Sequence, residues 1–176
     1  FKNAIAELGD QATAKIQGEF VSAFMNVSRL QNLNGPKTQI YAALQAQYSP
    51  DNLDSAQQFS VGGASNIAGY KNSALSGSTG YYILSELRQS LYASAQNQLA
   101  AKIYVDTATV KHQAREWSDL TGKNIEQISS AGFGLNWSNA MQWQAALTVG
   151  FPIGAQPDSV DKRNDVEAWL NLSKRF

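Results

Sequence analysis

Residues 141 to 151 alternate without a break. Met141, Trp143, Ala145, Leu147, Val149 and Phe151 fall on one side, and Gln142, Gln144, Ala146, Thr148 and Gly150 fall on the other. Successive side chains of a strand point to opposite faces, so a strict period of two predicts a β-strand with one apolar face. Strands of soluble sheets average about 5–6 residues, whereas a strand crossing a bilayer needs about 9–11. The length of the alternation and its small, uncharged second face predict a strand that meets lipid on one side and water on the other.

The same period predicts seven further strands. The spans 14–26, 38–48, 58–64, 80–91, 99–110, 129–137 and 166–176 all alternate. In the first, Ile16, Phe20 and Phe24 are opposed by Lys15, Gln17 and Glu19. In the fifth, Ala101, Ile103 and Val105 are opposed by Lys102, Tyr104 and Asp106. In the sixth, Ala131, Phe133, Leu135 and Trp137 are opposed by Ser130, Gly132, Gly134 and Asn136. In the last, Val166, Ala168, Leu170, Leu172 and Phe176 are opposed by Glu167, Trp169, Asn171, Ser173 and Arg175. Turn-forming residues separate these spans, as in Gly35-Pro36 and Ser49-Pro50-Asp51-Asn52. Short and long connections alternate; the long ones are 64–79, 112–127 and 154–165. Tyr48, Tyr81, Tyr82, Trp137, Phe151 and Phe176 lie near strand ends, where an interfacial aromatic girdle would fall. The fold class expected is an all-β, antiparallel transmembrane barrel of about eight strands.

Composition agrees with that class. Only 16% of residues are charged, and 14 basic balance 14 acidic residues. No net field exists to draw nucleic acid. There are no cysteines and one histidine, which excludes a disulfide framework and a clustered His or Cys metal site within the chain. No cofactor is expected. No apolar run approaches the roughly 20 residues of a transmembrane helix. A membrane-spanning chain of this kind must therefore satisfy its backbone as a barrel.

Few residues suggest chemistry. His112 lies near Arg115, Glu116 and Asp119; a solvated loop histidine is favoured over a hydrolase site, and no enzymatic activity is expected. Ser76-Gly77-Ser78-Thr79-Gly80 lacks the lysine and following helix of a phosphate loop, so a flexible hairpin tip is expected instead. Glu86 and Arg88 share a face and are expected to pair in water inside the barrel, and Lys102 is expected to be a further lumen charge.

Three stretches are more specific. The first is Gln58-Phe59-Ser60-Val61-Gly62-Gly63, then Ile67-Ala68-Gly69-Tyr70, Gly80-Tyr81-Tyr82 and Ser85-Glu86-Leu87. The second is Tyr104-Val105-Asp106. The third runs from Gly132-Phe133-Gly134-Leu135-Asn136-Trp137 to the terminal Leu172-Ser173-Lys174-Arg175-Phe176. In order and spacing they resemble the C-terminal half of the two-partner secretion (TpsB, haemolysin activation and secretion) transporters of the Gram-negative outer membrane.

That resemblance implies the second half of a sixteen-stranded barrel, with the first half and two periplasmic POTRA domains before Phe1. It implies a monomeric pore that exports a large TpsA-type exoprotein, such as an adhesin, haemolysin or contact-dependent toxin. It also implies insertion among outer-membrane lipid by the barrel assembly machinery, which would read Leu170, Leu172 and Phe176 on the last strand. The loop 64–79 is expected to fold inward. In the family its tip reads Val-Arg-Gly-Tyr or Val-Arg-Gly-Phe, and the arginine pairs with an inward aspartate. Here the tip is Ile67-Ala68-Gly69-Tyr70, so the aspartate position survives as Asp106 while Ala68 stands in place of the arginine. Another cation (Lys102, Arg88 or Lys71) or packing alone is expected to hold the loop, although Lys102 lies about 13 Å from Asp106 along the strand. The alternative architecture is a complete eight-stranded barrel with a filled interior and a structural or porin-like role.

Overall fold

The computed structural model describes residues 19–33, 35–116, 122–160 and 163–175. It contains nine strands: β1 (Ala23–Asn32), β2 (Thr38–Tyr48), β3 (Phe59–Val61), β4 (Leu75–Gly77), β5 (Thr79–Ala93), β6 (Asn97–Lys111), β7 (Ile125–Asn139), β8 (Trp143–Ile153) and β9 (Glu167–Lys174). Seven form one antiparallel sheet in the order β1-β2-β5-β6-β7-β8-β9, and β3 and β4 form a separate two-stranded hairpin. Neighbours in sequence are neighbours in the sheet, as in an up-and-down barrel wall. No helix is long and apolar enough to cross a membrane among the described residues.

The period of two sets the faces as expected. Ile103 and Val105 of β6 are 59% and 50% exposed, while Tyr104 and Asp106 between them are buried. Ile83, Leu87, Phe133, Leu135, Leu147, Phe151, Leu170 and Leu172 extend the exposed apolar face across β5 to β9. Water would not tolerate so continuous an apolar surface on a monomer, whereas lipid does. The opposite, inner face carries the hairpin. Phe59, Val61, Ile67, Tyr70 and Leu75 of the hairpin pack with Tyr82, Ala108, Val110 and Ile128 of β5, β6 and β7. This is the main buried core, and each of its larger side chains contributes about 2 kcal/mol by leaving water.

Several expectations are corrected. The span 58–64 is not a wall strand: β3 is short and turns into the hairpin, because Phe59 and Val61 bury against the inner face. The wall therefore has seven described strands rather than eight. The inward segment starts earlier than residue 64, since Phe59 and Val61 already pack on the inner face. The stretch 76–80 is the base of this hairpin and not a flexible tip; Ser78 is fully buried and its amide donates to the His112 carbonyl at 3.1 Å. Met141 lies in a turn rather than a strand, where Gln142 has φ 63° and its amide donates to the Asn139 carbonyl at 3.1 Å.

Tyr82 is not a girdle residue; it faces inward and its hydroxyl donates to the Asn66 carbonyl at 3.3 Å. The first predicted strand lies partly outside the described residues, as do Lys15, Ile16, Gln17, Asp119 and Phe176. Within them that strand is β1, running past residue 26 to Asn32, while Phe20 precedes it.

Both ends of the sheet have a distinct character. Short turns at 33–37, 94–96 and 140–142 sit at one end, and the long connections 49–78, 112–124 and 154–166 sit at the other. Strands β5, β6 and β7 have 15 residues each. At about 3.4 Å per residue they are roughly 50 Å long. A tilted strand of that length overshoots the hydrocarbon layer and carries the long connections clear of it.

Candidate functional site

The inner face is organised in tiers around the hairpin tip. Ile67, Ala68 and Tyr70 are at most 2% exposed. The tip lies flat against β7 and β8. A Cβ built on Gly150 would meet the carbonyl carbon of Ala68 and the amide nitrogen of Gly69, both at 2.5 Å. One built on Gly69 would meet Ser130 Cβ at 2.6 Å and the Phe151 carbonyl carbon at 2.9 Å. Two glycines thus face each other where two backbones touch, and neither has room for a side chain.

Polar contacts then fix the tip. The Gly69 amide donates to Ser130 Oγ at 3.2 Å. Ser130 in turn donates to Asp106 Oδ1 twice, from its hydroxyl at 2.5 Å and from its amide at 3.1 Å. On the far side Trp169 Nε1 donates to the Ala68 carbonyl at 2.9 Å. Arg163 Nη1 donates to the Tyr70 hydroxyl at 3.4 Å. Asp106 reaches the tip through Ser130, and its carboxyl also lies beside the backbone of Ala68.

None of the three candidate cations pairs with Asp106. Arg88 and Lys102 both converge on Glu86, at 2.6 Å and 2.8 Å. Glu86 is 4% exposed, so its two cations satisfy a carboxylate otherwise costly to bury. Arg88 also stacks on the Tyr41 ring at 4.2 Å, and Lys102 lies 5.3 Å from the Tyr104 ring. Lys71 is exposed. The alternatives of a substitute cation or packing alone are therefore replaced by a hydrogen-bonded relay from Asp106 through Ser130 to the Gly69 backbone. No motif marks Ser130 in the sequence. Its one signal is that a small polar residue recurs on the inner face of β7, directly opposite Asp106 in register.

The long connections meet at the other end. Arg115 Nη2 pairs with Asp51 at 2.7 Å, and Asn52 and Arg115 exchange hydrogen bonds at 2.9 and 3.0 Å. His112 is not a solvated loop residue. Its Nδ1 lies 2.7 Å from the Ser76 carbonyl and its Nε2 lies 2.9 Å from Glu126. Ser159 gives its hydroxyl to Glu126 rather than to His112, so the arrangement lacks the nucleophile-to-base contact of a hydrolase. Among the described residues no group of His, Asp and Glu could hold a metal ion. At the last strand Leu170 and Leu172 are 77% and 62% exposed on the outer face.

Comparison with known proteins agrees with this architecture. Residues 2–137 match the family model "Haemolysin secretion/activation protein ShlB/FhaC/HecB". The heme/hemopexin transporter protein HuxB of Haemophilus influenzae is 27% identical over 134 residues, which covers 76% of this chain and 23% of HuxB. The outer membrane transporter CdiB of Escherichia coli is 44% identical over 48 residues, 27% of this chain and 8% of CdiB. A solved structure of CdiB from Escherichia coli superposes with a TM-score of 0.78 at 22% identity, covering 92% of this chain and 28% of that one. The fold is thus that of part of an outer-membrane β-barrel, and the chain spans about a quarter of the length of the relatives it matches. A wall of long antiparallel strands, an apolar outer face and a hairpin seated on the inner face accompany this match, and the chain belongs to the ShlB/FhaC/HecB family of haemolysin secretion/activation proteins.

Proposed function

We propose that this chain is the C-terminal part of an outer-membrane pore of Gram-negative bacteria, through which a large partner exoprotein passes to the cell surface. The observation that carries the reading is the hairpin packed on the inner face, with its tip buried against β7 and β8. A structural barrel would fill its interior with wall side chains; here a separate element fills it. The hairpin then rests in the lumen as an occluding element. The neutral inner residues Gln98, Asn136, Gln144 and Asn171 line a cavity of about 670 Å³ toward the short turns. Such amides bind an unfolded chain weakly and let it slide.

The rest of the barrel and the periplasmic POTRA domains belong, in this reading, to the remainder of the protein, which acts as a monomer. The exposed Leu170 and Leu172 of β9 are offered to the barrel assembly machinery and then to lipid. The pore carries out no bond chemistry and uses no cofactor.

Replacing residues 59–77 of the full-length protein by a short Gly-Ser linker tests the reading. In planar bilayers the variant is expected to hold a steady conductance several-fold above the parent. A deletion of the whole protein is expected to leave its exoprotein in the periplasm. Unchanged conductance in the linker variant, or normal surface display in the deletion strain, would sink the proposal.

A further inference from the structure

His112 makes two contacts whose chemistry fixes its protonation. The Ser76 carbonyl can only accept, so Nδ1 carries a hydrogen. Glu126 already accepts from the Ser159 hydroxyl and, at 3.1 Å, from the Ser159 amide. Its carboxylate is therefore the acceptor toward Nε2 as well. A ring that donates from both nitrogens is an imidazolium. A neutral imidazole has only one N–H and must give up one of the two bonds.

These two bonds join three separate pieces of chain. Ser76 belongs to β4, at the base of the hairpin, while Glu126 begins β7 and is tied to the 154–166 connection through Ser159. The hairpin base is thus fastened to the rim at the long-loop end of the sheet. We infer that protonated His112 is a positioning residue, a latch that holds the hairpin in the lumen and loosens as the pH at the outer surface rises. The inference rests on the hairpin being a lumenal element, as proposed above.

The surrounding charges leave the latch to His112. Glu126 faces it from β7, and Asp158 faces it from the 154–166 connection. Lys123, from its own connection, pairs with Asp158 at 3.0 Å, and both are about two-thirds exposed. Lys111 donates to the Ala114 carbonyl, Arg115 pairs with Asp51, and Glu116 accepts from Asn124. The hairpin contributes only the uncharged Ser76 carbonyl. The sign follows directly. The latch is complete while His112 is protonated, and a neutral ring, with one N–H, gives up one of the two bonds. The Ser78 contacts to the His112 carbonyl do not titrate, so release is partial.

The test uses the full-length protein in liposomes, with a single cysteine at buried Val61 (V61C) or at exposed Ala56 (A56C). A membrane-impermeant maleimide is added outside, and labelling at each site is followed by mass spectrometry. The readout is the ratio of the V61C rate to the A56C rate. The same ratio measured in H112F reports the pH dependence of the two thiols themselves. This ratio is expected to be about tenfold higher at pH 8.5 than at pH 5.5, the fold-change of one lost charged hydrogen bond. His112→Phe is expected to give the high ratio at both pH values. Glu126→Gln, which keeps its volume, is expected to raise the ratio at pH 5.5. A ratio that stays low at both pH values in the parent, or a rise that survives in H112F, overturns the latch and leaves the pore reading standing. A V61C rate equal to that of A56C at every pH overturns both.

Discussion

Gly150→Leu is expected to expel the hairpin tip and open the pore. The position has no spare volume, because the atoms nearest a side chain there are backbone of Ala68 and Gly69. Backbone cannot rotate aside as a flexible side chain can. Residue 150 sits within β8, registered against Gly132 on one side and Glu167 on the other, so the wall cannot yield without breaking its ladder. The hairpin is the looser partner, and it moves. Its departure breaks the Trp169–Ala68 and Gly69–Ser130 bonds together. In planar bilayers the variant is expected to remain open nearly all the time, with a conductance close to that of the hairpin-replaced protein. The side chain points inward, so insertion among lipid is expected to be normal, as judged by heat-modifiable mobility on gels. A variant that inserts normally yet gates like the parent would show that the tip does not lie against β8.

The second prediction separates the serine relay from a direct aspartate anchor. Ser130→Ala leaves the Gly69 amide without its acceptor and removes both the hydroxyl donor to Asp106 and its geometry. Leaving buried polar groups unpaired costs about 2 kcal/mol, or roughly a thirtyfold shift from closed to open. Asp106→Ala is expected to do less. The Ser130 hydroxyl stays to accept from Gly69 when the carboxyl is removed. Closed dwell times in single-channel records of both variants supply the order. If D106A shortens them more than S130A, the aspartate holds the tip directly and the relay is wrong. If D106A leaves conductance and secretion untouched, the carboxyl anchors nothing.

How much of this was legible beforehand differs by residue. The alternation in 99–110 assigned Lys102, Tyr104 and Asp106 to one face, and that face is the buried one. The span 38–48 matches β2 end to end. A period of two reads well wherever one face meets an apolar medium and the other does not. The same logic misled at 58–64, because a short alternating strand looks alike in a wall and in a hairpin laid upon it. It misled again at Tyr82, because inward and outward aromatics have the same composition signal.

The partners of the tip were less legible still. Ser130 and Trp169 lie 61 and 101 positions from the tip backbone they bind. Neither has a local pattern that distinguishes a binding residue from another inner-face side chain. Glu86 could be paired with Arg88 from spacing alone, but its second cation comes from the neighbouring strand, 16 residues away. His112 offered the strongest warning. As a lone histidine beside a strand end it looked solvated, and only the approach of β4 and β7 places acceptors at both of its nitrogens.

By itself, the sequence determined the strands, their faces and the class of surface they present, since these follow from side-chain period and from the demand that backbone groups in lipid be paired. Only the tertiary structure decided what occupies the inner face and what holds it there. Those contacts depend on sheet order and register, which bring residues far apart in sequence to within hydrogen-bond distance, and no local periodicity encodes them.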